Sequence, residues 1–214
     1  MRLAGCLLAV ALLPGLAGAD AAADARAADR LEAAIQGLAG LRASFVQTVT
    51  DAQGVETERA EGTVTLARPG RFRWEYREPA QLIVSDGTTV WLYDEDLAQV
   101  TVRPAEESLA GSPALLLSGQ SNIRAEYVIA DGGSADGLAW SRLTPKGTQG
   151  DFRELDVGIA GGELRRLRLL DRLGQTTRLE FGHIERNPPI EPDSFRFTPP
   201  PGVDVVGRAP AAAP

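Results

Sequence analysis

The chain of 214 residues has one cysteine, one methionine and one histidine, and Lys146 is its single lysine. The cysteine, Cys6, falls inside an amino-terminal apolar run that is expected to be removed, so disulfides, thiol catalysis and cysteine-ligated metals drop out of the mature chain. His183 stands in an alternating run beside Glu185, and no GxSxG, HExxH or paired-histidine spacing occurs. Enzymatic chemistry therefore has no visible apparatus, and no catalytic residue is expected. Nor is there a GxxxxGK[ST] run to cradle ATP. The acidic triplet Asp94, Glu95 and Asp96 lacks the spacing and glycine of a calcium loop, and Asp86-Gly87 reads as a hairpin turn. Neither metal nor cofactor is expected. The arginines are scattered, and without the first 19 residues the chain carries 21 basic against 29 acidic residues, a formal charge of −8. That balance argues against nucleic acid and against docking on anionic lipid.

What is present begins with an export signal. Met1-Arg2 precedes an apolar run from Leu3 to Leu13, Pro14-Gly15 breaks it, and Ala17-Gly18-Ala19 gives a small-x-small site before Asp20. Ala21 to Ala23 offers a second cleavage site. The run is too short to span a bilayer, and no later stretch approaches that length. Leu3-Ala4-Gly5-Cys6 matches a lipoprotein-processing box, which would anchor the protein through Cys6. Only five residues precede that cysteine, so it is read as part of the discarded signal.

From Asp24 to Gly40 the apolar positions Ala27, Leu31, Ala34, Ile35 and Leu38 recur three and four apart, which predicts an amphipathic helix. Strands begin with the alternation of Phe45 to Val49. They continue over about 55–67, 71–77, 80–86, 88–94, 98–103, 124–130, 137–144, 151–160, 163–173 and 175–185. Gly, Asp and Asn punctuate them, as expected of a large antiparallel meander. Residues 106–120 read as one or two short helices, Phe195-Arg196-Phe197 as a last extended piece, and 207–214 as a disordered tail. Residues 20–206 are expected to form one domain after a signal peptide over 1–19.

The densest information lies between Gly62 and Pro104. Phe72, Trp74 and Tyr76 alternate with Arg71, Arg73 and Glu75, and Trp91 and Tyr93 alternate with Val90 and Leu92. Period-two alternation sends alternate side chains to opposite faces, so one sheet surface is unusually aromatic. The block resembles the signature of the LolA family of periplasmic outer-membrane lipoprotein carriers. The residues that carry the resemblance are Arg68-Pro69, Phe72, Trp74, Tyr76, Pro79, Ser85-Asp86-Gly87, Trp91, Tyr93 and Gln99. Weaker matches follow in order at Phe45, Gln47, Ser112-Pro113, Leu143 to Lys146, and Phe197 to Val203.

The resemblance implies a mainly β fold with α: a strongly curved antiparallel sheet forming an incomplete, half-open β-barrel, with helices as a lid over an apolar cavity. It also implies acylated lipoproteins as cargo, an inner-membrane ABC transporter of LolCDE type as donor, and an outer-membrane receptor of LolB type as acceptor. The protein would work as a monomer in the periplasm of a Gram-negative bacterium. A related carrier of another lipid, or an anchored receptor of the same fold, stays open as an alternative. Candidate cavity residues are Phe45, Leu66, Phe72, Trp74, Tyr76, Val84, Trp91 and Tyr93 from the first half. Leu115, Leu116, Leu117, Leu167, Leu169, Leu179 and Phe181 join them from the second; for any of these, ordinary core is the competing reading. The resemblance further implies that Arg68 hydrogen-bonds lid carbonyls and latches the empty cavity, against the alternative of a plain surface arginine. Phe72 matches a position of transporter docking.

Overall fold

The computed structural model describes residues 16–109, 117, 122–147 and 152–209. Helix α1 spans Leu16–Ile35, starting before the expected helix and stopping short of Gly40. Its early start follows from the alanine-rich stretch ahead of Asp24, since alanine is the best helix former and needs no apolar period. Both expected cleavage sites, after Ala19 and Ala23, thus fall inside it. Gly37, at φ 67°, ends the helix in the left-handed region that suits glycine. The apolar stripe behaves as its spacing requires: Ala27, Leu31, Ala34 and Leu38 are buried.

Among the described residues twelve strands follow. The first six are β1 (Gly40–Thr50), β2 (Glu56–Ala67), β3 (Arg71–Tyr76), β4 (Gln81–Asp86), β5 (Thr89–Asp94) and β6 (Gln99–Pro104). Short helices α2 (Ala105–Leu109) and α3 (Ile123–Glu126) lead to β7 (Tyr127–Ala135), β8 (Leu138–Pro145), β9 (Phe152–Ala160), β10 (Glu163–Asp171) and β11 (Thr176–Arg186). A single 3₁₀ turn, Pro192–Phe195, precedes β12 (Asp204–Gly207). Phe195 is therefore buried in a turn rather than in an extended piece, and a real strand begins where the sequence shows only a Pro-rich approach to the tail.

All twelve strands join one sheet in the order β12-β6-β5-β4-β3-β2-β1-β11-β10-β9-β8-β7. Two meanders, β1 to β6 and β7 to β11, meet through antiparallel pairing of β1 with β11. Every pair is antiparallel except β12 on β6. Helix α1 packs on β7 to β10. Its fixings are polar as well as apolar: Ser141 Oγ donates to the Ala27 carbonyl (2.9 Å), and Arg30 donates to the Trp140 carbonyl (2.8 Å). On the sheet's far side, buried Asp156 of β9 accepts from Arg142 of β8 and Arg168 of β10, its register neighbours on either strand. Burial alone would raise its pKa. The two guanidinium groups outweigh that and hold the carboxyl below its usual range.

The aromatic wall depends on a residue without a side chain. Gly62 of β2 pairs with Phe45 of β1 on one side and Tyr76 of β3 on the other. Over the gap, the Phe45 ring approaches Tyr76 edge-on at 5.0 Å and Trp74 at 5.1 Å. Phe181 of β11 meets Trp74 edge-on at 6.4 Å. Strands two apart lie about 9–10 Å from each other, so Phe45 and Tyr76 meet because Gly62 presents no side chain between them. A methyl group at Gly62 would sit 1.8 Å from the Glu75 carbonyl oxygen and 2.9 Å from the Phe45 ring. Gly62→Ala should lower stability by about 3 kcal/mol, seen as a lower urea midpoint with an unchanged slope. An unmoved midpoint would mean that β3 yields at no cost.

Candidate functional site

On the same face as those rings the structure holds a cavity of about 460 Å³. That volume falls in the ordinary range of small-molecule sites, about 300–1,000 Å³. Phe72, Trp74 and Tyr76 of β3 form one wall, continued by Ile83 of β4, Val90 and Leu92 of β5, and Thr101 and Arg103 of β6. The register explains the continuity: Trp74, Ile83, Leu92 and Thr101 are successive partners across four strands. Leu169 of β10 with Thr177 and Leu179 of β11 supply the opposite side, while Gln47 of β1 and Ser108 of α2 complete the lining.

Of the residues proposed from sequence, Phe72, Trp74, Tyr76, Leu169 and Leu179 line this space. Phe45, Leu66, Leu117, Leu167 and Phe181 are buried in the core that backs it. Val84, Trp91 and Tyr93 are not part of it. Val84 pairs with Trp91, one position out of phase with the cavity pair Ile83 and Leu92. Alternation then sends them to the other face, where Phe197 lies 6.4 Å from Trp91 and 5.9 Å from Tyr93. Leu115 and Leu116 lie outside the described residues. Sequence reasoning misses Gln47, Ile83, Val90, Leu92, Thr101, Arg103, Ser108 and Thr177 as lining. For Val90 and Leu92 the signal exists in the alternation itself, read from the wrong parity.

The polar groups fall into two sets. In the wall, the Tyr76 hydroxyl donates to Gln47 Oε1 at 3.1 Å, and the Gln47 amide donates to Glu58 at 3.4 Å. Burial, followed by the nearby Glu58 charge, pushes the Tyr76 pKa up to about 12. At the end of α1, four successive carbonyls accept from side chains of the sheet region. Arg186 donates to Ala34 (2.7 Å) and Gln36 (3.2 Å), Arg68 to Ile35 (3.1 Å), and Asn187 to Gly37 (2.9 Å). Those are the carbonyls a helix leaves without internal partners, at its negative end. Arg68 also donates through Nε to the Leu117 carbonyl at 3.0 Å, so one guanidinium bridges α1 and the stretch between α2 and α3. Burial, followed by the Arg186 charge, lowers its pKa. It remains a cation throughout the physiological range.

Groups that resemble chemistry resolve into structure. Asp86 Oδ1 accepts from Thr88 and Thr89 in a tight turn. His183 sits at the irregularity between β1 and β11, with φ 48°, its Nδ1 3.1 Å from Ser44 Oγ and away from the cavity. Among the described residues no three His, Cys, Asp or Glu side chains gather to hold a metal, and no helix is long and apolar enough to cross a membrane. Titration of phenolate absorbance should show Tyr76 ionising at about pH 12, and Tyr76→Phe should remove that step. Its raised value means that the neutral ring's contribution to stability is whole below the unfolded value of about 10 and is lost as pH rises through about 12.

Comparison with known proteins is consistent across the chain. Residues 36–198 match the family described as outer membrane lipoprotein carrier protein LolA. The outer-membrane lipoprotein carrier protein of Dechloromonas aromatica is 42% identical over 199 residues, which cover 92% of this chain and 93% of that relative. The protein of the same description from Neisseria gonorrhoeae is 40% identical over 207 residues, covering 96% of this chain and 95% of its own length. The crystal structure of an uncharacterized conserved protein from Thermus thermophilus shares the fold alone. Its TM-score is 0.53 at 16% identity, over 86% of this chain and 98% of that one.

Proposed function

The chain belongs to the LolA family of outer-membrane lipoprotein carriers, and we propose on that footing that its cavity takes up the acyl chains of lipoproteins for passage across the periplasm. It is a carrier rather than an enzyme, and its cargo class is lipoprotein. The observation that carries the acyl-binding reading is the apolar cavity walled by Phe72, Trp74, Leu92, Leu169 and Leu179. Moving an acyl chain from a bilayer into water is unfavourable by about 0.8 kcal/mol per methylene, so an acylated protein needs such a shelter to cross.

The finer parts of the reading extend it. Arg68 latches the empty cavity by holding the Ile35 and Leu117 carbonyls together. The sheet bends into a half-open barrel around the cavity. Support for this comes from the lining itself: β6 and β10 stand seven places apart in the sheet, which is roughly 34 Å if flat, yet both line one small space. Residues 1–19 act as an export signal, and residues 20–206 work as one domain and as a monomer. Loading comes from an inner-membrane ABC transporter, which Phe72 helps to engage. Unloading goes to an outer-membrane receptor.

The test is to purify the protein from periplasm and identify what is extracted with it. An acylated lipoprotein is the expected result; phospholipid alone would make the protein a carrier of another lipid, and a diacylglyceryl group on Cys6 would make it an anchored receptor. Arg68→Leu removes two charge-assisted hydrogen bonds and should destabilise closure by about 1–3 kcal/mol. In a transfer assay that variant should accept lipoprotein and pass it to the receptor more slowly. Normal transfer would remove the latch.

A further inference from the structure

Two residues that line the cavity each carry a buried hydrogen-bond donor with no acceptor. The indole Nε1 of Trp74 and the hydroxyl of Ser108 are both shut off from solvent, and neither bonds to any protein atom. Both residues line the cavity, Trp74 from β3 and Ser108 from α2. Arg30 and Arg68 also have an unpartnered nitrogen each, but their guanidinium groups are satisfied elsewhere. Trp74 has no such alternative, because an indole carries one polar atom and that atom can only donate. Its side chain is otherwise well placed, in ring contact with Phe45 and Phe181, and the residue is only 9% exposed. Nothing in the packing explains a donor left bare, and a bare buried donor destabilises the state that contains it. By contrast the Tyr76 hydroxyl on the same wall is matched by Gln47.

An apolar space with donors in want of acceptors is complementary to a ligand that is hydrocarbon along its length and carries acceptor oxygens. The carbonyl at the root of an acyl chain has that chemistry: strong acceptor lone pairs beside a run of methylenes. We propose that Trp74 Nε1 and Ser108 Oγ form a carbonyl subsite, donating to ester or amide carbonyls of the cargo. The protein thereby distinguishes acyl chains from alkyl chains of equal length. The proposal rests on the reading that the cavity receives acyl chains, and it adds the recognition of their heads. Because α2 brings the hydroxyl and β3 brings the indole, the subsite joins the helical cover to the wall. In the empty form both donors are closed even to water, so α2 has to move off the wall before a carbonyl reaches them, and the bond then made relieves a penalty that the empty form carries.

The experiment compares two probes on the full mature chain freed of lipid: dipalmitoylglycerol, with ester carbonyls, and its dihexadecyl ether analogue, without them. Each competes for displacement of a fluorescent alkyl probe. The wild-type protein should prefer the ester by about fivefold to fiftyfold, the range one or two buried hydrogen bonds confer. Trp74→Phe keeps a ring and loses the N–H, and should bring the ratio close to one; Ser108→Ala should lower it in part. Because the ratio is read, a general loss of apolar affinity or of folded fraction cancels. A wild-type ratio near one, or a ratio that Trp74→Phe leaves intact, overturns the subsite. If neither probe displaces anything from the wild-type protein, the acyl-carrier reading itself falls, and the subsite with it.

Discussion

A sheet of twelve strands, each about 4.8 Å from the next, has far more inner face than the helices among the described residues can cover. A helix is about 10–12 Å across, side chains included, and α1 spends its breadth on β7 to β10. Among the described residues, the face of β3 to β6 is met by short helix α2 and by what the sheet brings against itself. Leu169, Thr177 and Leu179 meet that face from the other meander, and the volume they fail to fill is the cavity. The cavity is thus a consequence of topology. Two meanders share one hydrogen-bonded seam, β1 on β11, and the helices among the described residues do not pack the interior solid.

That arrangement sets unequal demands on the two halves of the site. The wall must keep its shape when nothing occupies it, and the cluster of Phe45, Trp74, Tyr76 and Phe181 does this through ring-on-ring contacts closed over Gly62. The cover is held differently, through carbonyl oxygens at the end of α1 that accept from Arg68, Arg186 and Asn187. Only Arg68 among these also holds Leu117. Breaking its contacts would leave three of the four carbonyls still occupied, so the end of α1 stays on the sheet while the link to Leu117 is lost. Wall and helix are over-determined, whereas among the described residues Arg68 is the side chain that ties the end of α1 to Leu117.

Most of this sheet was legible in the sequence because turns are chemically loud. Asp86-Gly87 and Gly161-Gly162 bound strands that the structure places within about two residues of their expected limits. Facing was harder. Alternation divides a strand into two faces and is silent on which is inner when both are apolar, as in Leu82-Ile83-Val84 and Val90-Trp91-Leu92-Tyr93. There the larger residues read as lining, whereas the segment ending in Phe197 covers the far face and gives Trp91 and Tyr93 their own partners. Strand β12 escapes notice because four residues beside a Pro-rich stretch carry no period, and its parallel pairing with β6 is a tertiary fact. The carbonyl contacts of Arg68 lie between segments far apart in sequence, and only the resemblance to a family points there.

A carrier has to hold its cargo through water and still give it up, and the closed state bears on both. A chain of about fifteen methylenes, fully buried, would gain roughly 12 kcal/mol, an affinity near nanomolar before a second chain is counted. Such a site would accept cargo and keep it. A site that is closed when empty binds with its intrinsic affinity multiplied by the fraction of time it stands open, so each 1.4 kcal/mol favouring closure weakens apparent binding tenfold. With Arg68 as the proposed latch, its contacts would lie on the closed side of that balance, and the bare donors of Trp74 and Ser108 on the other. On this account the affinity of the carrier is set as much by the stability of its empty form as by the contacts of its loaded one.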